Sequence, residues 1–128
     1  MSTILVIEDN SSNARLVAKV LKKHGHTVIL AEDGEHGMAA ALEAKPDLIL
    51  VDMGLPDLDG QTVVALLHQQ PTLSQVPLVA FTAWPQHTAR EMAGAYGCDG
   101  YISKPIDNAD LLKEVEKYLP KPSAQIIT

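Results

Sequence analysis

The sequence has a single cysteine, Cys98, so no disulfide can form within the chain. That count fits a reducing compartment, and Cys98 reads as a small buried hydrophobe rather than a redox centre. Aromatic residues are equally scarce: one Trp, one Phe and three Tyr among 128 residues. Because 46% of the residues are apolar, the core has to be built from Val, Leu, Ile and Ala. Basic residues are outnumbered, ten Lys and Arg against sixteen Asp and Glu, for a formal net charge of −6. That balance argues against nucleic acid as a partner, which calls for clustered basic residues. No apolar stretch approaches the ~18 residues needed to cross a bilayer, so no membrane insertion is expected. The opening residues lack a basic segment and a cleavage site, which reads as no signal peptide and a cytoplasmic location. The five histidines, His24, His26, His36, His68 and His87, lack the i, i+4 pairing of a zinc site and read as solvated helix and loop residues.

Short apolar runs recur at intervals: Ile4-Leu5-Val6-Ile7, Val28-Ile29-Leu30-Ala31, Leu48-Ile49-Leu50-Val51, Leu78-Val79-Ala80-Phe81 and the shorter Tyr101-Ile102. They do not alternate with polar residues, so they read as strands covered on both faces, the habit of parallel sheets. Helical spacing fills the gaps. Leu16, Val17, Val20 and Leu21 follow the capping candidates Asn10, Ser11 and Ser12 and stop at Gly25. Met38, Ala41 and Leu42 mark a second helix ended before Pro46, and Val63, Val64 and Leu67 a third ended before Pro71. Ala89, Met92, Ala93 and Tyr96 mark a fourth, stopped at Gly97. Leu111, Leu112, Val115 and Leu119 mark a fifth, stopped at Pro120. The order is β-α five times over, which right-handed crossovers turn into an α/β sandwich with helices on both faces of one sheet. One domain over residues 1–119 is expected, with 120–128 a short, poorly ordered tail and no output domain.

Ligands of doubly wound sheets bind beyond the carboxyl ends of the strands. Glu8 and Asp9 follow the first strand, Asp52 the third and Thr82 the fourth; Ser103, Lys104 and Pro105 follow the fifth. Three carboxylates brought together repel one another and call for neutralisation. Lys104 offsets one charge, and a hard cation such as Mg²⁺ suits the rest, because it takes few protein carboxylates and keeps its waters. The same groups suit phosphoryl transfer to a carboxylate, in which a metal, an ammonium and a hydroxyl donor share the spread charge of the transition state. Asp52 is the best nucleophile, since it ends an interior strand. Taken singly, Asp52 could be a helix or turn cap, Glu8-Asp9 a solvated helix start, and Lys104 a surface lysine. Their joint placement at successive strand ends is what speaks for a site.

The segments Ile4-Leu5-Val6-Ile7-Glu8-Asp9-Asn10, Asp47-Leu48-Ile49-Leu50-Val51-Asp52-Met53-Gly54-Leu55-Pro56-Asp57-Leu58-Asp59-Gly60, Val79-Ala80-Phe81-Thr82-Ala83 and Gly97-Cys98-Asp99-Gly100-Tyr101-Ile102-Ser103-Lys104-Pro105-Ile106 resemble the response-regulator receiver domain of two-component signalling, the CheY-like superfamily. Stand-alone receivers of the DivK and CheY kind are the most similar. The resemblance implies a flavodoxin-like fold with sheet order 2-1-3-4-5. It implies that Asp52 is phosphorylated, and that Asp9, Asp52 and the Gly54 carbonyl bind Mg²⁺, or Mn²⁺, with Glu8 acting through a metal-bound water. Lys104 then matches the phosphate-binding lysine, Pro105 the residue after a cis peptide bond, Thr82 the switch hydroxyl and Tyr101 the aromatic that turns inward with it. The implied partners are a histidine kinase or histidine phosphotransfer protein and a downstream protein that reads the surface of helix four, strand five and helix five. The implied state is a monomer or a weak phosphorylation-dependent dimer. The protein would not be an enzyme beyond promoting its own phosphotransfer and autodephosphorylation.

Two positions depart from the usual pattern. Gly54, two residues after the acceptor, leaves the site more open, whereas Trp84, two residues after Thr82, brings a bulky ring to its other side. Both positions tune phosphate lifetime in the family, and here they pull in opposite directions. Pro85 stiffens the entry to helix four. A phosphate shuttle or sink between kinases remains an alternative role, and a phosphate-independent pseudo-receiver is a second, weakened by the intact Glu8, Asp9, Asp52, Thr82 and Lys104. A metal-dependent phosphatase would carry an acid where Gly54 stands.

Overall fold

Branched aliphatic runs favour a pleated backbone whose faces are both covered, and each of the five runs is a strand. The computed structural model describes residues 2–55, 57, 60–83 and 85–119. Trp84 and the tail at 120–128 lie outside the described residues. The strands are β1 (Thr3–Ile7), β2 (Thr27–Ala31), β3 (Leu48–Asp52), β4 (Leu78–Thr82) and β5 (Gly100–Ser103). Between and after them run α1 (Ser11–Lys23), α2 (Gly34–Ala44), α3 (Gly60–His68), α4 (Gln86–Tyr96) and α5 (Asn108–Tyr118), with a 3₁₀ turn at Pro71–Leu73 that the sequence pattern did not announce. All neighbouring strands are parallel, in the order β2-β1-β3-β4-β5. Register pairs Ile7 with Ala31 and Val51, Asp52 with Phe81, and Thr82 with Ser103.

Side chains on a strand alternate between faces, and the core divides accordingly. Ile4 and Val6 of β1, Leu48 and Leu50 of β3, and Val79 and Phe81 of β4 meet Val17 and Leu21 of α1 and Leu111 and Val115 of α5. Leu5, Ile7, Ile49, Val51 and Leu78 point the other way, onto Ala41 of α2 and Val63, Val64 and Leu67 of α3. Helix α4 packs against β5 and α3. Burial on both faces holds for β1, β3 and β4 but not for β2 and β5. Leu30 in β2 is 46% exposed, and Tyr101 in β5 is only half-buried. Both strands are edges of the sheet, where an uninterrupted apolar run no longer has a helix over each residue.

Local signals set the helix ends. The Asn10 side chain accepts a hydrogen bond from the Asn13 amide at 3.0 Å and caps α1. Lys22 and Lys23 face the negative end of the same helix, and Gly25 leaves it at φ +89°, a conformation glycine adopts without strain. Helix α2 ends at Lys45, which takes a left-handed φ of 49°, since Pro46 disfavours a helical residue before it. Asp107 accepts from the amides of Ala109 and Asp110 and caps α5. Leu119, expected inside the last helix, is its extended C-cap and still packs on the core.

Two glycines should respond oppositely to alanine. At Gly60 an added Cβ would lie 2.5 Å from the Met53 Cα and 2.9 Å from the Asp52 carbonyl oxygen, so Gly60→Ala should destabilise by about 1–3 kcal/mol. At Gly94, inside α4, nothing lies within 4 Å of an added Cβ, so Gly94→Ala should stabilise by about 0.5–1 kcal/mol. Urea denaturation of the two variants checks both signs.

Candidate functional site

Parallel strands bring their carboxyl ends to one edge of the sheet, and the sequence has stocked that edge with polar groups. Asp52 and Thr82 are the last residues of β3 and β4, while Glu8 and Asp9 follow β1 and Lys104 follows β5. The chain leaves β1 towards β2 on one side and reaches β3 on the other. The ends of β1 and β3 therefore flank the crevice that this strand order opens.

Glu8, Asp52 and Thr82 are the buried polar residues of the described core, exposed by 2%, 5% and 4%. Lys104 Nζ reaches both acids, at 3.1 Å from Glu8 Oε1 and 3.2 Å from Asp52 Oδ1. Its contact to Glu8 is an ion pair without hydrogen-bond alignment, and Glu8 Oε1 is left buried with no hydrogen bond. The other Glu8 oxygen accepts from the Asn10 amide at 3.2 Å. Asp52 Oδ1 accepts from the Gly54 amide at 3.0 Å. Carboxylate oxygens of Glu8, Asp9 and Asp52 all lie within 4.8 Å of one another, with Asp9 on the solvent side. Among the described residues, an added Cβ at Gly54 would meet Asp52 Oδ1 alone, at 3.8 Å. The Lys104–Pro105 peptide bond is cis, and the Lys104 amide donates to the Thr82 carbonyl at 2.8 Å.

The electrostatics separate the two buried acids. Burial first, and the adjoining Asp52 carboxyl second, push Glu8 up to about 7. Burial also works to raise Asp52, but Glu8, the Gly54 amide and the Lys104 ammonium outweigh it and hold Asp52 below the ordinary aspartate range. Desolvation pulls Lys104 down, yet Glu8 and Asp52 more than offset it and keep the ammonium charged. A proton shared by the pair therefore resides on Glu8, which leaves Asp52 ionised as a nucleophile must be. Three carboxylates face one ammonium, and the buried Glu8 Oε1 has that ammonium beside it but no hydrogen bond. That donor set fits a hard divalent cation.

Other predicted residues lie elsewhere. Tyr101 is one strand away, in the floor of a groove of about 650 Å³ between α4, β5 and α5, together with Gly100 and Ile102 and flanked by Arg90 and Lys113. A Cβ at Gly100 would lie 2.6 Å from the Tyr118 hydroxyl, so that side chain would have to shift to admit one. Cys98 is half-buried, and burial, then the Asp99 charge, push its thiol up to about 11, as suits an inert residue. A second acidic group, Glu32, Asp33 and His36, went unremarked in the sequence. Asp33 caps α2 through the His36 amide at 2.8 Å and bonds the exposed His36 ring at 2.7 Å. Asp57 is also new. Its carboxylate accepts from the amides of Gly34 and Glu35 at 2.8 and 3.0 Å, and only its position after Pro56 in a turn-rich loop marked it.

Compared with known families, residues 4–116 match the response regulator receiver domain. The chain belongs to that family. This receiver is 33% identical to Protein PilH of Pseudomonas aeruginosa over 119 residues, 93% of this chain and 98% of that protein. It is 32% identical to the polar-differentiation response regulator DivK of Brucella anthropi over 117 residues, 91% of this chain and 95% of DivK. Among solved structures it resembles the receiver domain of the sensor histidine kinase PA1611 of Pseudomonas aeruginosa, which has a magnesium ion coordinated in the active-site cleft. Their TM-score is 0.83 at 31% identity, covering 91% of this chain and 96% of that one. The Mn²⁺-bound form of response regulator Rcp1 is also similar, with a TM-score of 0.74 at 30% identity over 94% of this chain and all of that one. The receiver has no helix among its described residues long and apolar enough to cross a membrane.

The raised Glu8 carboxyl dictates a pH dependence. Its folded value of about 7 exceeds the ordinary 4.5, so the folded receiver binds more protons than the unfolded chain between those values. Stability from this group is complete below about 4.5 and is lost as pH rises through 7. Glu8→Gln should remove that loss: in EDTA, the variant should gain about 1–3 kcal/mol over the parent between pH 5 and 8. Thermal melts of both proteins across that range check it. His26, lowered mainly by burial, and His36, raised by Asp33, titrate alike in both, and Asp52, held low, and Lys104, held high, stay ionised across that range, so the pH dependence of the difference follows Glu8.

Proposed function

We propose that this receiver is a phosphorylation-controlled switch of a two-component phosphorelay, with Asp52 as its phosphoryl acceptor. The observation that carries the reading is the Asp52 carboxylate itself. It is buried, held ionised, and contacted at once by the Lys104 ammonium and the Gly54 amide. A structural cap would be satisfied by the amide alone and would not need a lysine drawn across from the end of β5.

Asp52 attacks a phosphohistidine of a kinase or phosphotransfer partner. A carboxylate oxygen forms the new O–P bond as the P–N bond breaks, and the electron pair leaves on the imidazole nitrogen. Lys104, already 3.2 Å from Asp52 Oδ1, follows the negative charge onto the phosphoryl oxygens. Thr82, at the end of the neighbouring strand, supplies a hydroxyl to the same group. Asp9, Asp52 and the Gly54 carbonyl would hold Mg²⁺, with Glu8 taking one of its waters. The bound ion supplies charge neutralisation between the attacking carboxylate and the phosphoryl group. Gly54 leaves one flank open to the donor and to hydrolytic water.

The read-out follows from charge. The acyl phosphate carries about −1.5 to −2 at neutral pH in place of the single charge of the ionised carboxylate, and carries it on phosphoryl oxygens farther out, which draws Lys104 and Thr82 towards them. Tyr101 lies one strand from Thr82, since Thr82 pairs with Ser103, and its ring fills the space that Thr82 vacates. The groove between α4, β5 and α5 then changes shape for a downstream protein. Residues 1–119 constitute the switch, acting in the cytoplasm.

Beryllofluoride, a phosphoryl mimic, tests the reading without a cognate kinase. With Mg²⁺ it should shift amide NMR resonances at residues 52–54, 82–83 and 101–104, and Asp52→Asn should abolish the shifts. Shifts that survive in Asp52→Asn, or that do not need Mg²⁺, would refute the assignment.

A further inference from the structure

We propose that Asp57 is a positioning residue: it locks the loop that presents the Gly54 carbonyl onto the first turn of α2, and so sets the geometry of the metal site from outside it. The inference rests on the metal site proposed above. The oxygens of that site come from two separate places. Glu8 and Asp9 follow β1, whereas Asp52 and Gly54 lie at the end of β3 and in the loop after it. Sheet pairing fixes the strands as far as Ile7 opposite Val51. Beyond that point the ladder between them ends, and something else must hold the two halves in register.

Asp57 provides that link. One carboxylate oxygen accepts from the Gly34 amide at 2.8 Å and the other from the Glu35 amide at 3.0 Å. These are the first two amides of α2, which have no partner inside the helix. A carboxylate is favoured there by the helix dipole as well. Helix α2 is in turn pressed onto β1. At Gly37 an added Cβ would lie 2.5 Å from Ile7 Cδ1, an approach that only glycine permits. The Glu8 amide donates to the Ala31 carbonyl at 3.0 Å, just before α2 begins. The path is continuous: Gly54 and Asp57 lie three residues apart on one loop, Asp57 grips α2, and α2 sits against the strand that carries Glu8 and Asp9.

The same helix end contains an internal control. Asp33 caps the third amide of α2, that of His36, at 2.8 Å, but it belongs to the loop before α2, and among the described residues its side-chain hydrogen bonds go to His36 alone. Removing either aspartate deletes one negative charge and part of the cap. Only the loss of Asp57 frees the loop.

Isothermal titration of Mg²⁺ into Asp57→Ala and Asp33→Ala, with melting temperatures in EDTA, separates positioning from capping. Both variants should melt about 2–8 °C lower, the effect of a lost cap in a domain of this size. Asp57→Ala should weaken Mg²⁺ binding about tenfold, as for groups that orient metal ligands. Asp33→Ala should change it by no more than about twofold, the effect of one screened charge. If Asp57→Ala does not fold, Asp57→Asn, which keeps one acceptor oxygen, should weaken binding about threefold. Equal Mg²⁺ affinities for the Asp57 and Asp33 variants, or a parental affinity in Asp57→Asn, would overturn the positioning role. No Mg²⁺ binding by the parent protein would instead overturn the metal site, and this inference with it.

Discussion

Crowding of like charge at the ends of buried strands is the constraint on which this molecule turns. β1 and β3 are covered on both faces, so the groups at their ends have little freedom to move apart. Glu8 and Asp52 are held beside each other with Asp9 at the rim, and Lys104 alone opposes them among the described residues. An arrangement chosen for stability would not place two acids there. The aliphatic core on either side of the sheet supplies the rigidity that keeps them in place, and the Lys104 amide, bonded to the Thr82 carbonyl, anchors the backbone that carries the lysine. What results is a pocket that favours positive charge and has an ionised, buried carboxylate at its centre.

Much of this was legible in the chain because each signal was local. Continuous apolar runs marked four strands and the shorter Tyr101-Ile102 the fifth, and caps and breakers such as Asn10, Gly25, Pro46 and Gly97 marked the helix ends. The strand-end acids, hydroxyl and lysine followed once the strands were placed, since a parallel sheet leaves one edge for chemistry. The run at 28–31 shows the limit. Its composition is that of a buried strand, but β2 is an edge, and a one-dimensional pattern does not say which strands have neighbours. Leu30 is exposed for that reason. Asp57 shows a second limit. Its role depends on amides 22 and 23 residues away, and no spacing rule links a loop carboxylate to a distant helix end.

Glu8 and Asp52 also show why two identical functional groups on adjacent strands acquire different properties. Each accepts one backbone amide and faces the lysine, but the Glu8 carboxyl is the more deeply buried of the two, and burial is the largest influence on it. Glu8 keeps an oxygen without a hydrogen bond. The proton goes where the negative charge is least supported. Metal binding and protonation are therefore competing remedies for the same imbalance, and Asp52 is left ionised under either. The clamp from Asp57 to α2 extends this reasoning outward. A site whose ligands come from two loops depends on the contacts that hold those loops together.

The central claim is that Asp52 takes the phosphoryl group. Treating the protein with a small acyl or amide phosphodonor and Mg²⁺, trapping the product with borodeuteride and mapping it by mass spectrometry tests that claim directly. Reduction of an aspartyl phosphate leaves a deuterated homoserine at the modified position. The account predicts that residue at position 52, and its loss when Mg²⁺ is chelated. Homoserine at Asp9 or another aspartate, hydroxynorvaline at a glutamate, or a stable phosphohistidine in place of an acyl phosphate, would contradict it.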